Sequence, residues 1–132
     1  MDYSKAKKAV EAAEAKAKEL GVAISVAVVD QYGDLVAFSR MEGALKISPK
    51  FAIAKAYTAG TMGMKTADVA QYATEGKPLY GVESLFGGEL TTIGGGLPVM
   101  KDKELLGGVG VGGSYDVNQD IECAEAAVAE LS

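Results

Sequence analysis

Lys55 is the single charged residue in Phe51-Ala52-Ile53-Ala54-Lys55-Ala56-Tyr57-Thr58-Ala59. An amine in such a run has two fates. Buried, it gives up its proton more readily and can act as a nucleophile or base; at a boundary, it lays its stem over apolar neighbours and keeps its head in water. Arg40, the only guanidinium of the chain, opens Arg40-Met41-Glu42-Gly43-Ala44. A guanidinium grips a carboxylate through two parallel hydrogen bonds, so Arg40 suits an organic acid or a propionate, and equally an ion pair with Glu42 or with a neighbouring subunit. Glu42, Lys55 and Tyr80 are groups able to move protons beside a carboxylate held there. Gly95 and Gly96, lacking a Cβ, admit a ligand or another backbone at close range. Arg40, Glu42, Lys55, Tyr80, Gly95 and Gly96 are therefore the candidate ligand-binding set, and the sequence assigns no catalytic residue among them.

What the chain lacks narrows the chemistry further. There is no histidine, which removes the commonest general base, any Ser-His or Cys-His dyad and imidazole ligation of zinc or haem. The one cysteine, Cys123, can form neither an internal disulfide nor a cysteine-cluster metal site. Acids at Asp120 and Glu122 disfavour its thiolate, so packing is its expected role. Met62 and Met64 are soft enough for a metal, but methionines near a helix end more often fill gaps. No metal site is expected. Thirteen basic against eighteen acidic residues give a formal charge of −5, the opposite of the clustered basic face that binds nucleic acid. No apolar run approaches the ~20 residues that span a bilayer, and no membrane partner is expected. The reading is of a cytoplasmic protein.

The glycine pattern invites a nucleotide-binding reading and does not sustain it. Gly108-Val109-Gly110-Val111-Gly112-Gly113 matches G-x-G-x-x-G on an expected strand. A dinucleotide fingerprint also needs a parallel second strand bearing an acid about twenty residues on, and the residues that follow read as one helix. The pattern fits a strand packed closely under helices.

These residues must be positioned by a single domain of 132 residues with 48% apolar content. Alanine-rich spacing from Ser4 to Leu20, ended by Gly21, predicts an amphipathic helix. Val22–Val29 and Leu35–Phe38, separated by Asp30-Gln31-Tyr32-Gly33-Asp34, predict an antiparallel hairpin. Ser48-Pro49 predicts a capped helix to about Gly60. That helix is apolar nearly all round, so a second subunit is expected on its outer face, and Ala56→Glu should split the oligomer. Thr66–Ala73 predicts a short helix capped by Thr66. Strands are expected at Leu90–Ile93, Leu97–Met100 and Leu105–Val111, and a closing helix at Tyr115–Leu131 capped by Ser114 or Asp116, with Asp120 on its acidic outer surface. Helices segregated from hairpin-linked strands define an α+β class with one antiparallel sheet of five strands.

Taken in order, Val28-Val29-Asp30, Gly33-Asp34-Leu35-Val36-Ala37, Arg40-Met41-Glu42-Gly43-Ala44, Lys55-Ala56-Tyr57-Thr58-Ala59, Pro78-Leu79-Tyr80-Gly81, Gly95-Gly96-Leu97-Pro98-Val99 and Gly108-Val109-Gly110-Val111-Gly112-Gly113, with Asp120 and Cys123-Ala124, resemble the GlcG/HbpS haem-binding family. That family includes the C-terminal domain of PduO-type corrinoid adenosyltransferases. The resemblance implies profilin-like α/β/α layers around a five-stranded antiparallel sheet, and compact homo-oligomers, octamers among them. It also implies a small-molecule ligand, with haem or a corrinoid as cofactor, and an accessory role in glycolate, diol or glycerol metabolism. An enzyme acting on a small hydroxy or keto acid is the alternative, as is haem binding or degradation without histidine ligation. Without histidine, any haem ligation here must use tyrosine, methionine or cysteine.

Overall fold

The computed structural model describes residues 1–132. Helix α1 (Tyr3–Leu20) begins where the Asp2 side chain accepts from the Ser4 N–H and ends at Gly21, whose φ of 76° closes the helix. Strands β1 (Ser25–Asp30) and β2 (Leu35–Arg40) form the expected hairpin. Helix α2 (Ser48–Met62) crosses the sheet, followed by a single turn α3 (Thr66–Val69) and short 3-10 turns at Ala70–Tyr72 and Val82–Gly87. Strands β3 (Gly96–Lys101) and β4 (Glu104–Gly112) form a second hairpin, and α4 (Val117–Ala129) closes the chain.

The sheet has four strands in the order β2-β1-β4-β3, antiparallel throughout. The fifth strand expected at Leu90–Ile93 is absent, because that stretch bonds elsewhere. The Thr91 N–H donates to the Thr58 hydroxyl on α2, and the Ile93 N–H to the Thr91 hydroxyl. Two expected caps are also corrected. Ser48 is already helical, and its hydroxyl donates to the Leu45 carbonyl and meets that of Ser25 at 2.8 Å. The hydroxyl of Thr66 accepts from the Gly96 N–H at 2.9 Å, tying α3 to the start of β3. Asp116 does cap α4, accepting from the Asn118 N–H.

Helices α1 and α4 cover one face and α2 the other, giving α/β/α layers. The first face holds the main core, in which Val26, Val28, Leu97, Val99, Val109 and Val111 meet the alanine stripe of α1 and Cys123, Ala124 and Ala127 of α4. On the second face only Ala27, Val29, Ala52 and Ala56 cluster. There α2 lies on β4 backbone to backbone. A Cβ on Gly108 would stand 2.5 Å from the Gly60 nitrogen and 2.6 Å from the Ala56 carbonyl oxygen, closer than any side chain allows. Gly108 and Gly110 on β4, facing Gly60 on α2, therefore let the helix approach the strand.

Candidate functional site

The close approach of α2 to β4 carries Lys55 inside. Its side chain runs beside Gly95 to the edge of the sheet, and the residue is only 2% exposed. There Nζ donates to the Val111 carbonyl at 2.8 Å and meets Asp120 Oδ2 at 3.3 Å. Asp120 lies on α4, in the layer beyond the sheet, and is also 2% exposed. Its second oxygen accepts from the Ser114 N–H at 3.2 Å. The pair thus joins the two helical layers where β3 begins. Gly95 and Gly96 make that crossing physically feasible: a Cβ on Gly95 would lie 2.9 Å from Nζ, and one on Gly96 would lie 2.5 Å from the Lys55 carbonyl oxygen.

Burial sets the electrostatics of this pair. Loss of water pushes the Lys55 amine below its usual range, with the charge and hydrogen bond of Asp120 opposing. Loss of water pushes the Asp120 carboxyl up, with Lys55 and the Ser114 N–H opposing. Both displacements weaken the ion pair and bring the neutral forms of the two groups closer in energy than they are in water. An ammonium has three protons to donate, and the protein supplies acceptors for two, the Val111 carbonyl and Asp120. The pair lines a cavity of about 330 Å³ whose other walls include Leu45, Phe51, Ile93, Tyr115 and Val117. That size is at the low end of small-molecule sites. No other charged side chain lines it.

Among the six candidate residues, the structure brings Lys55, Gly95 and Gly96 together. Arg40, Glu42 and Tyr80 do not line this cavity. Arg40 is exposed at the end of β2 and donates to the Ala44 carbonyl at 3.1 Å, bracing its own turn. Glu42 is exposed in that turn, and Tyr80 stands 63% exposed in another. The snorkelling alternative for Lys55 is overturned, since its head is buried. Asp120, expected on the acidic outer surface of α4, is the partner that the sequence reading missed. Its signal was present: Asp120 stands three, four and seven residues before the buried Cys123, Ala124 and Ala127, continuing their stripe. Cys123 is buried in the main core, and burial with the charges of Asp120 and Glu122 pushes its thiol up to about 11, in keeping with packing. No cluster of acids and cysteine able to hold a metal ion is present.

This fold and this pair of hairpins define a recognised class. Residues 1–129 match the family model described as haem degrading protein HbpS-like, and the chain belongs to that family. It is 36% identical over 121 residues to the corrinoid adenosyltransferase PduO of Salmonella typhimurium, covering 92% of this chain and 36% of that protein. The chain thus spans about a third of that relative's length. An uncharacterised 15.0 kDa protein from the dhaT-dhaS intergenic region of Citrobacter freundii is 37% identical, over 93% of this chain and 86% of its own length. Among solved structures, the PduOC:heme complex superposes with a TM-score of 0.93 at 33% identity, covering all of this chain and 95% of that one. No helix is long and apolar enough to cross a membrane.

Proposed function

We propose that this protein is a small-molecule-binding accessory module and that the cavity over Lys55 and Asp120 is its binding site. One observation carries this reading: a fully buried amine and carboxyl, with one amine proton lacking a protein acceptor, line an otherwise apolar cavity. Buried polar groups are normally satisfied, and a ligand acceptor would complete the set. Mapping of amide NMR shifts with a panel of small oxygen-bearing compounds tests it. Saturable shifts centred on Gly113 and Ser114 are expected; shifts scattered over the surface would reject the site.

The family description and the heme-bound relative favour a second ligand, a tetrapyrrole. The cavity at Lys55 holds about 330 Å³ on its own, whereas the outer face of α2 offers more room. Two adjoining cavities there, of about 390 and 330 Å³, share Lys50, Ala54 and Gly88, and Ile47, Phe51, Ile53 and Tyr57 line them. Ile47, Phe51 and Ile53 suit the macrocycle, Lys50 suits a propionate against the opposing charges of Asp34, Glu83 and Glu89, and Tyr57 supplies a phenol oxygen for iron. An imidazole-ligated haem does not fit this chain. Hemin titration should give a saturable spectrum without bis-histidine features, weakened by Tyr57→Phe; absence of saturation at micromolar protein rejects this reading.

The same outer face supports assembly with further copies, because Ile47, Phe51 and Ile53 are exposed there on one chain. Ala56 faces the sheet beneath, so Ala56→Glu would unfold the chain and cannot report on assembly. Ile53→Glu is the informative change. Sedimentation should show an oligomer in the wild type and smaller species in the variant, and a wild-type monomer at micromolar concentration would refute assembly. A role in glycolate, diol or glycerol metabolism belongs to the same proposal and rests on the family resemblance alone.

A further inference from the structure

Resting on the cavity reading above, we propose that Lys55 captures a small neutral aldehyde or ketone as an imine, with Asp120 as the proton-transfer partner. Three observations select this chemistry. The amine lies within hydrogen-bond reach of one carboxyl, at 3.3 Å, and both line the same cavity. No second cation lines that cavity, so nothing there would hold the carboxylate of a keto acid. Its walls carry Leu45, Phe51, Ile93 and Val117, which suit a short aliphatic or aromatic tail. Burial shifts both groups toward the neutral amine and the neutral acid, the forms that the reaction consumes.

The step balances without an oxidant or reductant. The Nζ lone pair adds to the carbonyl carbon while the carbonyl oxygen takes the Asp120 proton. The adduct nitrogen then returns a proton to the Asp120 carboxylate, leaving a neutral carbinolamine. Asp120 protonates the departing hydroxyl, water leaves, and the C=N bond forms. The product is an iminium on Lys55 paired with the Asp120 carboxylate. Amine plus carbonyl gives iminium plus water, with the acid proton accounted for in the water and the charge held by the pair. The apolar walls disfavour entry of the water that would reverse the reaction.

The test uses the whole protein with butanal and cyanoborohydride at pH 7, read by intact mass and peptide mapping. Exposed lysines are largely protonated at that pH, so Lys55 should label at least about tenfold faster than any other lysine. Asp120→Asn should slow Lys55 labelling while leaving exposed lysines unchanged, and Lys55→Arg should abolish the fast adduct. The wild-type map decides the matter even where a variant fails to fold. Labelling of Lys55 no faster than of exposed lysines overturns the imine. Butanol, which cannot form one, separates the two readings. Butanol-induced shifts at Gly113 and Ser114 without a Lys55 adduct retain the cavity and remove the imine, and neither shift nor adduct removes both.

Discussion

The two faces of the sheet are built on opposite principles. Toward α1 and α4, valines from three strands interlock with alanines and Leu131 in a sixteen-residue cluster that contains no charge. Toward α2, four small apolar residues and a row of glycines let backbone meet backbone, and the largest buried side chain is a lysine. Filled volume supplies stability on the first face, since dispersion and apolar burial scale with area. On the second, close approach creates a shallow interior in which a charge-bearing group can be desolvated at the edge of a cavity. The difference shows how a small domain separates stability from chemistry: the strands are shared, and alternate residues along β4 serve each purpose.

Removing one partner of the buried pair should have the largest effect. Lys55→Met leaves the Asp120 carboxyl without its cation, and breaking a buried pair from one side costs about 3–5 kcal/mol. Denaturant unfolding should register that loss, while Lys55→Met with Asp120→Leu should recover most of it. Recovery would identify the pair as a device kept for binding. Failure to recover would mean that the pair holds the two layers together, and the contrast between faces would weaken.

Adjacent residues of β4 sharpen the contrast next. Val109 points into the main core and Gly110 lies against α2. Val109→Ala should cost about 2 kcal/mol through the lost methyl groups and the space left behind. Gly110→Val should cost about 3 kcal/mol, because its side chain must displace the backbone of Ala52 and Ala56. The two variants should also differ in kind. Val109→Ala should keep ligand-induced shifts at Gly113, whereas Gly110→Val should lose them, since lifting α2 withdraws Lys55.

These residues also show what the sequence could disclose. Periodicity placed α1, α2, β1 through β4 and α4 within a few residues, because hydrophobic spacing and glycine or proline punctuation are local signals. The strand expected at Leu90–Ile93 failed because Thr91 draws its backbone bond from Thr58, thirty-three residues earlier, a tertiary choice with no local mark. Lys55, Gly95 and Gly96 were legible as unusual residues, but their meeting was not. Asp120 reads as one more acid on an acidic helix, although its spacing to Cys123 and Ala127 carries the buried stripe. Arg40, conspicuous as the only guanidinium, braces its own turn through Ala44. Rarity of type marked it out, whereas location decides what it touches.

Cys123 supplies the smallest and most discriminating comparison, because burial acts on it as it acts on Lys55 and yields the opposite chemistry. Desolvation disfavours the charged form of both groups. For the amine the neutral form is the nucleophile; for the thiol it is the inert form. With its thiol pushed up to about 11 from 9.0, Cys123 holds about a hundredfold less thiolate at pH 8 than an unshifted thiol. Iodoacetamide should therefore label it only through unfolded molecules. The linkage has a definite sign: between pH 9 and about 11 the folded chain keeps a proton that the unfolded chain releases, so this thiol's contribution to stability falls as pH rises through that window. Urea melts should show the decline in the wild type and a shallower one in Cys123→Ala, with the two curves parallel below pH 8. Equal slopes in both proteins, or rapid labelling of the native protein at pH 8, would show that α4 opens more readily than the packing of the main core implies.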